Sequence, residues 1–246
     1  MMTGRSTLRT AVALVVCLAV VLGSGVAVAQ TDDPTIAVGP APSGGDSGPV
    51  TGYPGEEVTV TVWANASDVR GYQATLSFDP SVVRVVSVSG SDDFAAPVSR
   101  VDNDTGVVAF NGLRSAGTDD PVLARLTLEL VGDAGNETTL SFAESDTRLA
   151  DSAPSEIGLA TYDDTTVSVV SPAAVCDGCS APTDPDGDRL YEDVDGNGQF
   201  TFFDVLTLYD YFQTADDPAV VPFDFDGNEQ FTFFDVLALY DEFQQS

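Results

Sequence analysis

The sequence predicts a mainly-β protein: an antiparallel β-sandwich followed by a small all-α pair of EF-hand-type loop–helix repeats. Three observations carry this. Between residues 33 and 171, short runs of alternating apolar and polar residues are separated by turn clusters, with no helical stretch among them. From 184 to 246 the texture changes, and one long segment occurs twice. Between the two lies a stretch without period, 172–183, which contains Pro, Ala and Cys and reads as a linker.

The strands are read in order. Thr35–Val38 is a short candidate in a Gly-, Pro- and Ser-rich region. From Glu57, Val58, Val60 and Val62 fall on one face, with Thr59, Thr61 and Trp63 on the other. In Gly71–Phe78 the inward set is Tyr72, Ala74, Leu76 and Phe78, closed by the turn signal Asp79-Pro80-Ser81. Val82–Val88, Gly106–Phe110, Ala124–Val131 (with Leu126, Leu128 and Leu130 inward), Thr138–Phe142 and Thr165–Val170 complete the series. Many short alternating strands predict antiparallel sheets. Parallel pairing normally needs crossover helices, and the segment has no room for them.

The segment 33–171 resembles a cohesin domain. The residues that carry the likeness are Gly55-Glu-Glu-Val58, then Gly71-Tyr-Gln-Ala-Thr-Leu-Ser-Phe-Asp-Pro80, then Val82-Val-Arg-Val-Val-Ser-Val88. The resemblance implies a nine-stranded jelly-roll sandwich that receives a dockerin. Carbohydrate-binding sandwiches share the same alternation, so a sugar-binding module linked to polysaccharide binding or breakdown is the alternative. For that reading, Tyr53, Trp63 and Tyr72 are the candidate stacking rings.

The C-terminal repeat is close. Gln199–Phe212 recurs as Gln230–Phe243, and only Thr207/Ala238 and Tyr211/Glu242 differ. Each copy begins with an oxygen-rich loop. In the first, Asp193, Asp195, Asn197 and Asp204 take loop positions one, three, five and twelve; in the second, Asp224, Asp226, Asn228 and Asp235 do. Calcium takes six to eight oxygens at about 2.3–2.6 Å, and this spacing turns alternate side chains inward. The position-seven carbonyls of Gln199 and Gln230 add a ligand each. Gly198 meets the positive φ needed at position six. Glu229 stands there in the second loop, whose site is therefore expected to be weaker or altered. A helix is expected after each loop, with Val205, Leu206, Leu208, Tyr209 and Phe212, and their counterparts Val236, Leu237, Leu239, Tyr240 and Phe243, forming a core-facing stripe.

This duplication over 184–246 resembles a type I dockerin module. The resemblance implies two calcium ions and a cohesin as partner, with loop positions ten and eleven reading it. Those positions hold Phe202-Phe203 and Phe233-Phe234. The rings either form an apolar contact surface or fill the module's own core. A further acidic run, Asp184, Asp186 and Asp188, matches the first half of a calcium loop with Asp195 at the twelfth place. A third ion and a solvated acidic turn both fit it.

Cys176 and Cys179 form a lone CxxC, read as a local disulfide because one pair without histidine cannot supply four zinc ligands. Asn65, Asn103 and Asn136 begin glycosylation sequons.

Composition sets the exclusions. The formal charge is −30; all nine bases are Arg, and His and Lys are absent. Nothing here neutralises phosphates, so nucleic acid is not expected as a partner. The missing imidazole removes the usual general base, and paired carboxylates mean little in so acidic a chain. No enzyme is expected. The acidity suits a halophilic archaeal source, where salt screens self-repulsion. Arg5 and Arg9, the apolar run 11–28 and Ala27-Val28-Ala29 read as a signal peptide, 1–29, cut before Gln30. Cys17 sits inside that apolar run without a lipobox. The whole is expected to be a secreted or cell-surface adaptor that joins dockerin- or cohesin-bearing proteins, its own copies included, through calcium.

Overall fold

Strands form where the alternation is longest, and the two faces of each one sort by burial. The computed structural model describes residues 33–40, 48–215 and 218–245. The expected signal segment, with Cys17, lies outside these residues. The strands are β1 (Thr35–Gly39), β2 (Val50–Gly52), β3 (Glu57–Asn65), β4 (Val69–Ser77), β5 (Val83–Ser89), β6 (Val98–Asp102) and β7 (Val107–Thr118). They continue as β8 (Val122–Leu130), β9 (Glu137–Phe142), β10 (Arg148–Ala150), β11 (Glu156–Ile157), β12 (Thr161–Asp163) and β13 (Thr165–Val169). Two helices close the chain, α1 (Phe202–Thr214) and α2 (Phe233–Phe243).

One sheet runs β12-β1-β3-β8-β5. The other runs β11-β10-β4-β9-β13-β2, with β7 on β4 and β6 on β7. The inward residues expected from alternation are the ones buried. Leu126, Leu128 and Leu130 of β8 and Leu76 of β4 have no exposure, and Tyr72, Ala74, Phe78, Val60 and Val62 join them in one core. Phe94, from the loop between β5 and β6, is buried as well. It meets the Tyr72 ring edge-on at 5.0 Å, with Phe110 on Tyr72 at 6.1 Å.

The structure corrects the expectation of wholly antiparallel pairing. β1 pairs in parallel with β12, and β2 in parallel with β13. Chain that crosses between two stacked sheets can return in the same direction without a helix, so the crossover argument does not bind here. The short strands β2, β6, β10, β11 and β12 were not expected, and β7 runs well past the Phe110 end assigned to it. Of the three candidate stacking rings, one is turned inward. Tyr72 faces the core, its hydroxyl donating to the Leu123 carbonyl at 2.9 Å, while Tyr53 and Trp63 are half-buried.

Asn103 is spent structurally. Its side-chain amide accepts from the Val85 N–H at 2.9 Å and donates to the Val85 carbonyl at 3.1 Å. Asn103 is half-buried, whereas Asn65 and Asn136 are exposed. Among the described residues no helix is long and apolar enough to cross a membrane.

Burial pushes the Tyr72 hydroxyl up to about 12. An unfolded chain ionises this group near 10, so above that pH the unfolded state sheds a proton the folded state keeps. Its contribution to stability is complete below pH 10 and falls as pH rises toward 12. Tyr72→Phe is expected to cost about 1 kcal/mol at neutral pH and to flatten this part of the alkaline decline. Denaturant titrations of both forms from neutral pH to 12 check it.

Candidate functional site

Each C-terminal loop is built by its own backbone. Asp193 Oδ1 accepts from the Asn197 N–H at 2.9 Å and Oδ2 from the Gly198 N–H at 2.8 Å, while Asp195 also accepts from Asn197. The second loop repeats this with Asp224 accepting from Asn228 and Glu229, both at 2.9 Å, and Asp226 from Asn228. These bonds turn the first and third carboxylates of each loop inward. Gly198 has φ of 87° and Glu229 φ of 62°. The second loop thus keeps the bend with a side chain in the left-handed region, at a cost of about 1 kcal/mol.

The closing carboxylate belongs to both loop and helix. Asp204 is fully buried at the third helical position of α1, and Asp235 holds the same place in α2. Asp204 Oδ2 accepts from the Thr201 N–H at 2.7 Å, its Oδ1 from the Asp195 N–H at 3.1 Å, and Thr201 Oγ1 caps the first turn in return. Asp235 does the same with Thr232 and Asp226. Asp193, Asp195 and Asp204 bring carboxylate oxygens within 4.8 Å of one another, as do Asp224, Asp226 and Asp235. Asn197, Gln199, Asn228 and Gln230 lie on the same loops, exposed. Converging hard oxygens around one point suit a cation of the calcium type. Unbalanced, they repel.

A third group gathers Asp184, Asp186, Asp188 and Glu192. The acid that completes it is Glu192, not the Asp195 expected from loop spacing, because Asp195 is committed to the first repeat. Burial pushes the Glu192 carboxyl up to about 8, and the charges of Asp188, Asp186 and Glu242 add to this.

The two helices pack as a pseudo-symmetric pair. Phe202 meets Tyr240 at 6.0 Å and Phe233 meets Tyr209 at 6.0 Å, each ring reaching across to the other helix. Phe202 and Phe233 thus lean on the opposite helix while staying partly exposed. Phe203 and Phe234 point outward, 70% and 66% exposed, with Leu206 and Leu237 one turn on. The core stripe is narrower than expected: Val205, Leu208, Val236 and Leu239 are buried, but Leu206, Tyr209, Phe212 and their counterparts are partly exposed. The symmetry breaks where the repeats differ. Tyr211 packs on Phe223 and Phe231, both at 5.7 Å, whereas Glu242 sits near the acidic run.

The expected linker is partly tied down. Cys176 and Cys179 form a disulfide, Thr183 bridges to Asp193, and the Thr183 hydroxyl donates to Asp193 Oδ2 at 2.6 Å.

On the sandwich, register defines one outward face. Val98, Asn111, Gln73 and Arg148 lie in one row across β6, β7, β4 and β10, and Leu113, Gly71 and Ala150 in the next. Cross-strand partners share a face, so Val98 and Leu113, about three-quarters exposed at 74% and 75%, stand on one surface with Arg100 and Arg148. A cohesin domain model matches residues 47–169, half of the chain. The chain belongs to the cohesin family. Solved structures similar to it include a cohesin of Clostridium acetobutylicum, 17% identical with a TM-score of 0.47, covering 57% of this chain and 92% of that one. A type I cohesin–dockerin complex from Clostridium thermocellum is 16% identical, TM-score 0.47, covering 56% and 100%. A non-cellulosomal cohesin from the hyperthermophilic archaeon Archaeoglobus fulgidus is 18% identical, TM-score 0.45, covering 57% and 93%. No curated protein matches the chain.

The cohesin match stops short of both helices, which are held by their shared apolar cluster and by a threonine cap on each. Thr201→Ala and Thr232→Ala are each expected to cost the helix pair about 1 kcal/mol. Thermal melts followed by far-UV circular dichroism should lose helical signal earlier in each variant, with the β signal unchanged.

Proposed function

We propose that this chain is a non-catalytic, secreted adaptor. Membership in the cohesin family implies protein–protein assembly with dockerins, and its sandwich takes the receiving role. Residues 184–246 form a dockerin-like calcium module, joined to the sandwich 33–171 through the short segment 172–183. Calcium occupies the loops of Asp193, Asp195, Asn197, Gln199 and Asp204, and of Asp224, Asp226, Asn228, Gln230 and Asp235. The observation that carries this reading is the double convergence of three carboxylates, two from a loop and one from the first turn of the helix after it, at a fixed 31-residue offset, for example Asp204 to Asp235.

The docking surfaces follow from exposure and charge. The face with Val98 and Leu113 carries Arg100 and Arg148 in a chain otherwise rich in acids. An acidic module with exposed aromatic rings complements it. Phe203 with Leu206, and Phe234 with Leu237, offer that chemistry twice. The equivalent helix faces let the module meet a cohesin in either of two orientations. A second copy of this chain is one partner that fits, which would build head-to-tail chains.

Immobilised cohesins and dockerins, a second copy of the full chain among them, test this by calorimetry or surface binding. Calcium removal is expected to weaken capture of a cohesin at least ~100-fold, about 2.7 kcal/mol. Phe203→Ala or Phe234→Ala alone should weaken it only about twofold, since one orientation survives, and the pair of changes far more. Leu113→Asp should abolish dockerin binding at the sandwich face. Failure to bind any of these partners, with calcium or without, would remove the adaptor reading.

A further inference from the structure

Four carboxylates converge just before the first loop. Asp184, Asp186, Asp188 and Glu192 bring oxygens within 4.8 Å of one another. Three of them sit on the surface or half-buried, but Glu192 is 2% exposed, and neither of its oxygens has a hydrogen-bond partner. A buried carboxylate without a partner is costly, and placing three more acids against it adds repulsion. The Arg189 guanidinium, from the same run, is engaged elsewhere: it reaches Glu129 of β8 at 3.5 Å. Either a proton on Glu192 or a bound cation relieves the repulsion, and the loop geometry around the group favours the cation.

The backbone around the group already has the shape of a cation loop. Asp184 accepts from the Gly187 N–H at 2.7 Å and the Arg189 N–H at 2.8 Å, and Asp186 accepts from the Asp188 N–H at 3.2 Å. Arg189, sixth from Asp184, has φ of 81°, matching the sixth residues of the two repeats. We propose that Asp184, Asp186, Asp188 and Glu192 form a third calcium-type site, closed by the buried Glu192 from the ninth position instead of by an acid at the twelfth. All four ligands are hard oxygens, which favours calcium over zinc or copper.

The site lies at a junction. On one side Arg189 ties the loop to Glu129 of the sandwich; on the other the Tyr191 N–H donates to the Pro222 carbonyl at 3.1 Å, and Glu242 of α2 is within electrostatic reach of Asp186 and Asp188. An ion here fixes the start of the C-terminal module to the end of its last helix.

The test is the number of calcium ions retained by the full-length chain after gel filtration, counted by native mass spectrometry and by elemental analysis. Three are expected in the parent chain, and two in Glu192→Gln and in Asp186→Asn. Asp186 is exposed, so that second variant keeps the test valid should Glu192→Gln misfold. A parent chain that retains two ions overturns the third site and leaves the two-loop reading standing; retention of none removes both. Three ions retained in folded Glu192→Gln or in Asp186→Asn also overturns it.

Discussion

The alternation along β8 is the constraint on which the sandwich depends. Leu126, Leu128 and Leu130 are wholly buried, and β8 pairs on one edge with β3 and on the other with β5. A slip of one residue would turn all three leucines to water and bring Thr127 and Glu129 inward. Each buried leucine contributes roughly 2 kcal/mol against exposure, so the register of the central strand is strongly fixed. The facing sheet fills the remaining volume with Tyr72, Leu76 and Phe110. Once these two inner faces meet, the outward row of Val98, Leu113, Arg100 and Arg148 has its place without further instruction.

Much of this was legible in the residues themselves. Long alternating strands such as β3, β4 and β8 carry their own period, and each was found within a residue or two of its ends. The missed strands are those with no period to read. β10, β11 and β12 are two or three residues long, and β6 has no buried residue at all. The second half of β7, from Asn111 onward, has no buried residue, so nothing in its pattern marks it as strand. On β3 the alternation holds through Trp63, which is half-exposed between the buried Val62 and Ala64; the register shift there falls on β8, where strict period two fails because the adjacent Leu123 and Ala124 are both buried.

The C-terminal loops were more legible still, because a repeated sequence reports its own geometry twice. The carboxylates that gather in space, Asp193, Asp195 and Asp204 and their counterparts in the second loop, are ones whose spacing demanded it. The exceptions fall where the repeat ends. Glu192 lies in a dense run of acids, so its burial left no mark except its position between Tyr191 and Val194, both of which are buried. Asp195 fits two loops by count, and only the fold shows which one holds it. The outward Phe203 and Phe234 could not be separated from the inward-leaning Phe202 and Phe233 by period, since adjacent residues on a helix point about 100° apart and both pairs lie near the edge of the stripe.

Asp204 and Asp235 have a consequence that reaches beyond either loop. Each is at once the last acid of its loop and the third-position partner of its helix's capping threonine, holding the Thr201 or Thr232 amide with one oxygen and the Asp195 or Asp226 amide with the other. Loop and helix therefore cannot loosen separately: swinging that carboxylate away exposes the first turn of the helix and frees the loop in one motion. Each repeat behaves as a single opening unit. The amides of Asp195 and Thr201, and those of Asp226 and Thr232, then exchange with solvent through the same rare event, not as an independently fraying loop and helix end.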